Sequence, residues 1–142
     1  LQGMQTLLDS IAYIKKRMNP SLDVEGILIT KYEKNTRISK AVMSYFTNPE
    51  EFELADKIFK THIRKNVKFD ESPINHKTCF ELGVEANGAE DYLQLAEELT
   101  GEERPANWKY KVLEAWLADE EHKDDDAVIE QLETLKKKDH GK

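Results

Sequence analysis

Gly26-Ile-Leu-Ile-Thr30 and Ile58-Phe-Lys-Thr-His-Ile63, with the segment that joins them, decide how this chain folds. Both runs are short and apolar, carry β-branched residues and are bounded by turn formers, the pattern of buried strands. Each passes at once into a basic, polar segment, Lys31-Tyr-Glu-Lys-Asn-Thr-Arg37 and Arg64-Lys-Asn-Val-Lys68. Between them, Thr36 is a plausible N-cap for a helix to about Phe46 whose apolar face is Ile38, Val42, Tyr45 and Phe46. Strand, helix, strand in this order predicts a parallel pair, so the fold class is α/β. In open α/β sheets, ligands gather outside the carboxyl ends of the strands. Here those ends carry Lys31, Lys34, Arg37, Arg64, Lys65 and Lys68.

Outward from this unit, residues 3–18 place Met4, Leu7, Leu8, Ile11, Ile14 and Met18 at helical spacing, and Asn19-Pro20-Ser21 stops that helix. Leu1 followed at once by a helix is expected of a chain that starts mid-fold. Asn48-Pro49 reads as a turn leading to a short helix through Leu54 and Ala55. Pro73 restrains Ser72 from the helical region, so Asp70 to Lys77 is expected to be irregular. A brief apolar stretch, Thr78 to Leu82, and a loop, Gly83 to Gly88, come next. Ala89 to Leu99 is a helix with Tyr92, Leu95, Ala96 and Leu99 on one face, ended by Thr100-Gly101. Arg104-Pro105 opens another, with Trp108, Val112, Ala115 and Trp116 as its stripe. The last starts at Asp124-Asp-Asp126, packs Val128, Ile129, Leu132 and Leu135, and ends in Lys136-Lys-Lys138, an order that suits the helix dipole.

With 142 residues the chain is one domain, or one domain with an appendage, and no apolar run reaches the ~20 residues of a bilayer span. Its net charge of −7 hides an asymmetry. Residues 1–82 hold 13 Lys and Arg against 11 Asp and Glu, and residues 83–142 hold 8 against 17. A mildly basic front and an acidic rear suit polyanion binding at the front, although solvated helix faces give the same balance. Cys79 is alone, which fits a reducing compartment. His62, His76, His122 and His140 lack metal-ligand spacing and the triple Asp reads as a helix start, so no metal site is expected.

From Glu25 to Ser39 the chain resembles the block E-G-[VI]-L-[LI]-T-x-Y-D-x-R-T-x-L-S of the ParA/Soj-type partition ATPases, relatives of MinD in the deviant-Walker P-loop group. Ile58 to Pro73 resembles their V-F-x-T-x-I-P-R-N-V-R-L-x-E-A-P, and Gly88 to Leu99 their G-A-x-x-Y-x-x-L-A-x-E-[LI]. The match is collinear over roughly residues 1–100. Arg64 stands where the family has Pro, Asn35 where it has the Arg of D-x-R-T, and Glu33 where it has Asp. The resemblance implies the C-terminal part of a P-loop NTPase-like parallel sheet with flanking helices over residues 1–102. Residues 103–142 are then an extra acidic helical extension.

The family's phosphate loop, K-G-G-x-G-K-[ST], does not occur in this sequence. Such a loop surrounds phosphates with backbone N–H groups while its lysine reaches them, and phosphoryl transfer depends on that positioning. The chain alone is therefore expected to turn over no ATP and carries no assigned catalytic residue; ATP and Mg²⁺ belong to the full-length parent. By position, the resemblance gives Lys31, Tyr32, Ile63, Arg64 and Lys65 to the wall around the adenine, and Lys34, Arg37, Lys40, Lys65 and Lys68 to nonspecific DNA binding. It further implies a ParB-like centromere-binding partner, homodimers or higher self-association, and a bacterial cytoplasmic, nucleoid-associated protein with no membrane partner. The alternative is a naturally truncated, non-catalytic binding or regulatory module. A last helix that opens on three Asp argues against MinD-like membrane attachment.

Overall fold

The structure, a computed structural model, describes residues 2–120 and 122–140, the side chains of Lys68, Asp70, Glu71, Asn75, Leu82 and His140 excepted. Its centre is the expected parallel pair. Strand β1 (Ile27–Tyr32) lies beside β2 (Ile58–Arg64), with Ile27 opposite Ile58, Ile29 opposite His62 and Tyr32 opposite Arg64. The register shifts twice along this ladder. Gly26 enters β1 directly under the Phe59 ring, where a Cβ would lie 2.2 Å from the nearest ring carbon. Only glycine admits that approach.

Helix α1 (Gln2–Arg17) precedes the sheet, and none of its residues is buried. Met4, Leu8 and Ile11 line a groove of about 800 Å³ shared with Tyr45, Phe46 and Phe52, whereas Leu7, Ile14 and Met18 are exposed. The crossover helix α2 (Arg37–Phe46) starts where the sequence places it. Thr36 is extended, and its hydroxyl accepts the Ser39 N–H at 3.1 Å. Tyr45, Phe46 and the buried Phe52 then meet ring to ring, with centroids 4.8–6.1 Å apart. After this cluster a 3-10 turn, Ala55–Lys57, leads into β2.

The segment after β2 departs from expectation. Residues Lys68–Asn75 form a helix, α3, with Pro73 inside it, where the sequence reads as irregular. Proline costs a helix its own N–H bond and disfavours the helical region for the residue before it. Here α3 spans only 8 residues, so the loss falls in its last turn, and His76 closes it in the left-handed region at φ 52°. Thr78 caps α4 (Cys79–Leu82) in a reciprocal box with Glu81.

Helix α5 (Asn87–Thr100) packs along β2 and ends at Gly101, whose φ of 72° suits a residue without Cβ. Helices α6 (Trp108–Leu117) and α7 (Asp126–His140) pack on each other and on α4. The main buried cluster lies here rather than on the sheet. Val84, Ala89, Trp108, Leu113, Val128 and Leu135 form it, with Phe80, Leu93, Trp116 and Leu132 packed around. Lys77 on Asp125, and Lys109 and Lys138 on Glu85, tie the same elements together by charge. Among the described residues no helix is long and apolar enough to cross a membrane.

Candidate functional site

At the carboxyl end of β1 the backbone turns sharply, with Lys31 at φ 53° beside a shift in register. A left-handed conformation at a lysine costs about 1–2 kcal/mol, so the turn is held from outside. The next turn, Glu33 to Thr36, supplies anchors. The Thr36 hydroxyl donates to the Glu33 carbonyl at 3.1 Å, and the Glu33 N–H donates to the Ser39 hydroxyl at 3.3 Å. Lys34, Arg37 and Lys40 stand exposed around this anchored turn, and together with Lys31 they have no ion-pair partner among the described residues.

The carboxyl end of β2 is different, because its cations are engaged. Arg64 lays its guanidinium on Asp91 of α5, with Nε 2.9 Å and Nη2 2.5 Å from Oδ1, and its own N–H donates to Oδ2 at 2.8 Å. Asp91 is 2% exposed. The Arg64 guanidinium is held above its ordinary pKa by this carboxylate. Lys65 extends across the strand ends to Glu33 at 3.0 Å, and its N–H donates to the Tyr32 carbonyl at 3.2 Å. Tyr32, half-buried, faces His62 at 5.0 Å between ring centroids. The His62 Nε2 is shut off from solvent and has no hydrogen-bond partner among the described residues.

The residues singled out from sequence therefore divide three ways. Lys31, Lys34, Arg37 and Lys40 form an open cationic surface. Arg64 and Lys65 sit at the same end with their charges on carboxylates, and Ile63, 3% exposed, is buried beneath them. Lys68 opens α3 a turn further on, but its side chain lies outside the described residues. Among the described residues no group of three His, Cys, Asp or Glu side chains is arranged to hold a metal ion.

Sequence reading missed the acids that organise this end. Glu98 accepts the N–H groups of Lys60 at 2.7 Å and Thr61 at 2.9 Å, while Asp91 takes that of Arg64. Asp91 and Glu98 lie seven residues apart on one face of α5, about 10.5 Å of helix rise. Thr61 and Arg64 lie three apart on β2, about 10 Å of strand. The two spacings match, so α5 serves β2's outer edge as a row of acceptors. Two carboxylates one heptad apart, flanking Leu95 on an otherwise apolar face, were the signal available in the sequence.

No family model matches the chain. Among curated proteins it is similar to the sporulation initiation inhibitor protein Soj of Bacillus subtilis, 32% identical over 103 residues, which are 70% of this chain and 38% of that protein. It is similar to the chromosome-partitioning ATPase Soj of Thermus thermophilus, 31% identical over 99 residues, again 70% and 38%. The chromosome partitioning protein ParA of Caulobacter vibrioides is 27% identical over 104 residues, 73% of this chain and 38% of that one. The chain thus spans less than two fifths of the length of these relatives. Its parallel strands with flanking helices agree with the C-terminal part of a P-loop NTPase-like sheet. Over about 70% of its length, this chain is a relative of the ParA/Soj-type partition proteins.

Proposed function

We propose that the chain is the C-terminal portion of a ParA-type ATPase for chromosome or plasmid partition, and that its share of the work is a surface for nonspecific duplex DNA. The observation that supports this is the open set of Lys31, Lys34, Arg37 and Lys40 around an anchored turn at the strand ends. Exposed, unpaired cations suit a phosphate backbone, which is bound by charge at the right separation and releases counterions as it binds. An adenine-side role falls to Lys31 and Tyr32 first, since Ile63 is buried and Arg64 and Lys65 hold carboxylates. ATP and Mg²⁺ enter with the parent's phosphate loop. The parent would then act as a dimer on the nucleoid in the bacterial cytoplasm, with a ParB-like partner.

Fluorescence anisotropy on a random duplex across a salt series tests the DNA role. Four phosphate contacts give a slope of log affinity on log salt of roughly −3 to −4, and K34A/R37A is expected to flatten it by about two. A variant that binds like the wild type, or no binding at about 50 mM salt, defeats the reading.

A further inference from the structure

Two basic side chains at the carboxyl end of β2 are held by carboxylates, and the two carboxylates differ in kind. Asp91 is 2% exposed and also accepts the Arg64 backbone N–H, so pulling Arg64 away would strand a buried charge. Glu33 is another matter. Its side chain is 47% exposed and that of Lys65 is 65% exposed, so either charge can be rehydrated at little cost. The backbone around the pair is nevertheless fixed. Ser39 and Thr36 hold Glu33, and the Tyr32 carbonyl holds the Lys65 N–H. The carboxylate is thus presented to Lys65 at 3.0 Å from a rigid turn, beside the open cations Lys34 and Arg37.

We propose that Glu33 is a built-in competitor of phosphate for Lys65: a carboxylate that occupies this lysine until a polyanion displaces it, while Arg64 stays with Asp91. This rests on the polyanion-binding role of the same surface. It assigns Lys65 as a conditional ligand and Glu33 as the residue that sets how strongly, and how selectively by charge density, the surface engages DNA. A sparse anion has too little charge to displace Glu33, whereas a duplex backbone offers several phosphates within reach of Lys65.

A double-mutant cycle on the full chain, read by anisotropy on a random duplex from about 50 to 300 mM salt, tests it. E33Q removes the competitor and is expected to tighten binding about two- to fivefold with the salt slope little changed, because Lys65 reaches phosphate in both backgrounds. K65A is expected to flatten the slope by about one in both backgrounds, and to cost less affinity in the wild-type background than in the E33Q background. Equal gains from E33Q with and without Lys65 would show a general effect of net charge and overturn the proposal. A K65A loss of affinity as large in the wild-type background as in E33Q would overturn it too. No gain from E33Q, while K34A/R37A still weakens binding, overturns this inference and leaves the DNA role standing. No duplex binding by the wild type or any variant overturns both.

Discussion

Arg64 stands where the family it resembles carries proline, and the structure shows what the exchange accomplishes. Proline has no N–H to give and no charge, whereas Arg64 spends its N–H and its guanidinium on one buried carboxylate, Asp91. Replacing Arg64 leaves that carboxylate with a single backbone donor among the described residues, in a site that is 2% exposed. A fully buried pair broken on one side costs about 3–5 kcal/mol. The Arg64 side chain is 44% exposed, so water recovers part of this. R64A is expected to lower unfolding free energy by about 1–3 kcal/mol in urea titrations followed by circular dichroism. R64K, which keeps the charge and loses the planar fork, should recover less than half of the loss. An R64A protein as stable as the wild type would mean that Asp91 is served well enough by the backbone N–H alone.

Helix α5 lies along β2 as a strand would, with carboxylates in place of carbonyls. Burial pushes the Glu98 carboxyl up, but the N–H groups of Lys60 and Thr61 outweigh it and hold the group below the usual carboxylate range. A folded pKa below the unfolded one gives stability that is present above the unfolded value, about 4.3, and lost as pH falls through the folded value. Hydrogen exchange measures this directly. Protection factors of the Lys60 and Thr61 amides should fall in that acid window while those of central α5 amides persist, and E98Q should lower them already at pH 7. Unchanged protection in E98Q would show that these amides are shielded by packing instead. The elements of this region were readable in advance to different degrees. The strands, the Thr36 cap and the parallel pairing followed from β-branched runs, one hydroxyl and the order of elements, all local. Helix α3 did not, because Pro73 lowers helical propensity and nothing local reveals how short the helix is. The open cations Lys34, Arg37 and Lys40 could be found from sequence, since exposure is the default for such residues. The neutralised state of Arg64 and Lys65 could not. It depends on Asp91 and Glu33, which are 27 and 32 residues away along the chain.

The buried cluster joins Val84 and Ala89 to Leu113, Val128 and Leu135, so α6 and α7 cover apolar surface that the preceding residues expose. Val84 also donates its N–H to Gln131 of α7 at 3.1 Å, and Gln131 returns a bond to the Glu81 carbonyl at 3.2 Å. Uncovering a buried Val or Leu costs about 1.5–3 kcal/mol each, and whole domains hold only about 5–15. A chain ending at residue 102 is therefore expected to lose cooperative urea unfolding and to show collapsed amide dispersion by NMR around Val84 to Ala89. If it unfolds with an undiminished midpoint, residues 103–142 are a separable appendage. One feature of the sheet bears on assembly. The acids of α5 take the N–H groups of Lys60, Thr61 and Arg64 on β2, and β1's outer side meets no strand among the described residues. As a building block for strand pairing, each copy thus has a valence of one. In the longer parent proposed above, the rest of the sheet would join at β1, and the carboxylates of α5 would leave β2 as the sheet's edge.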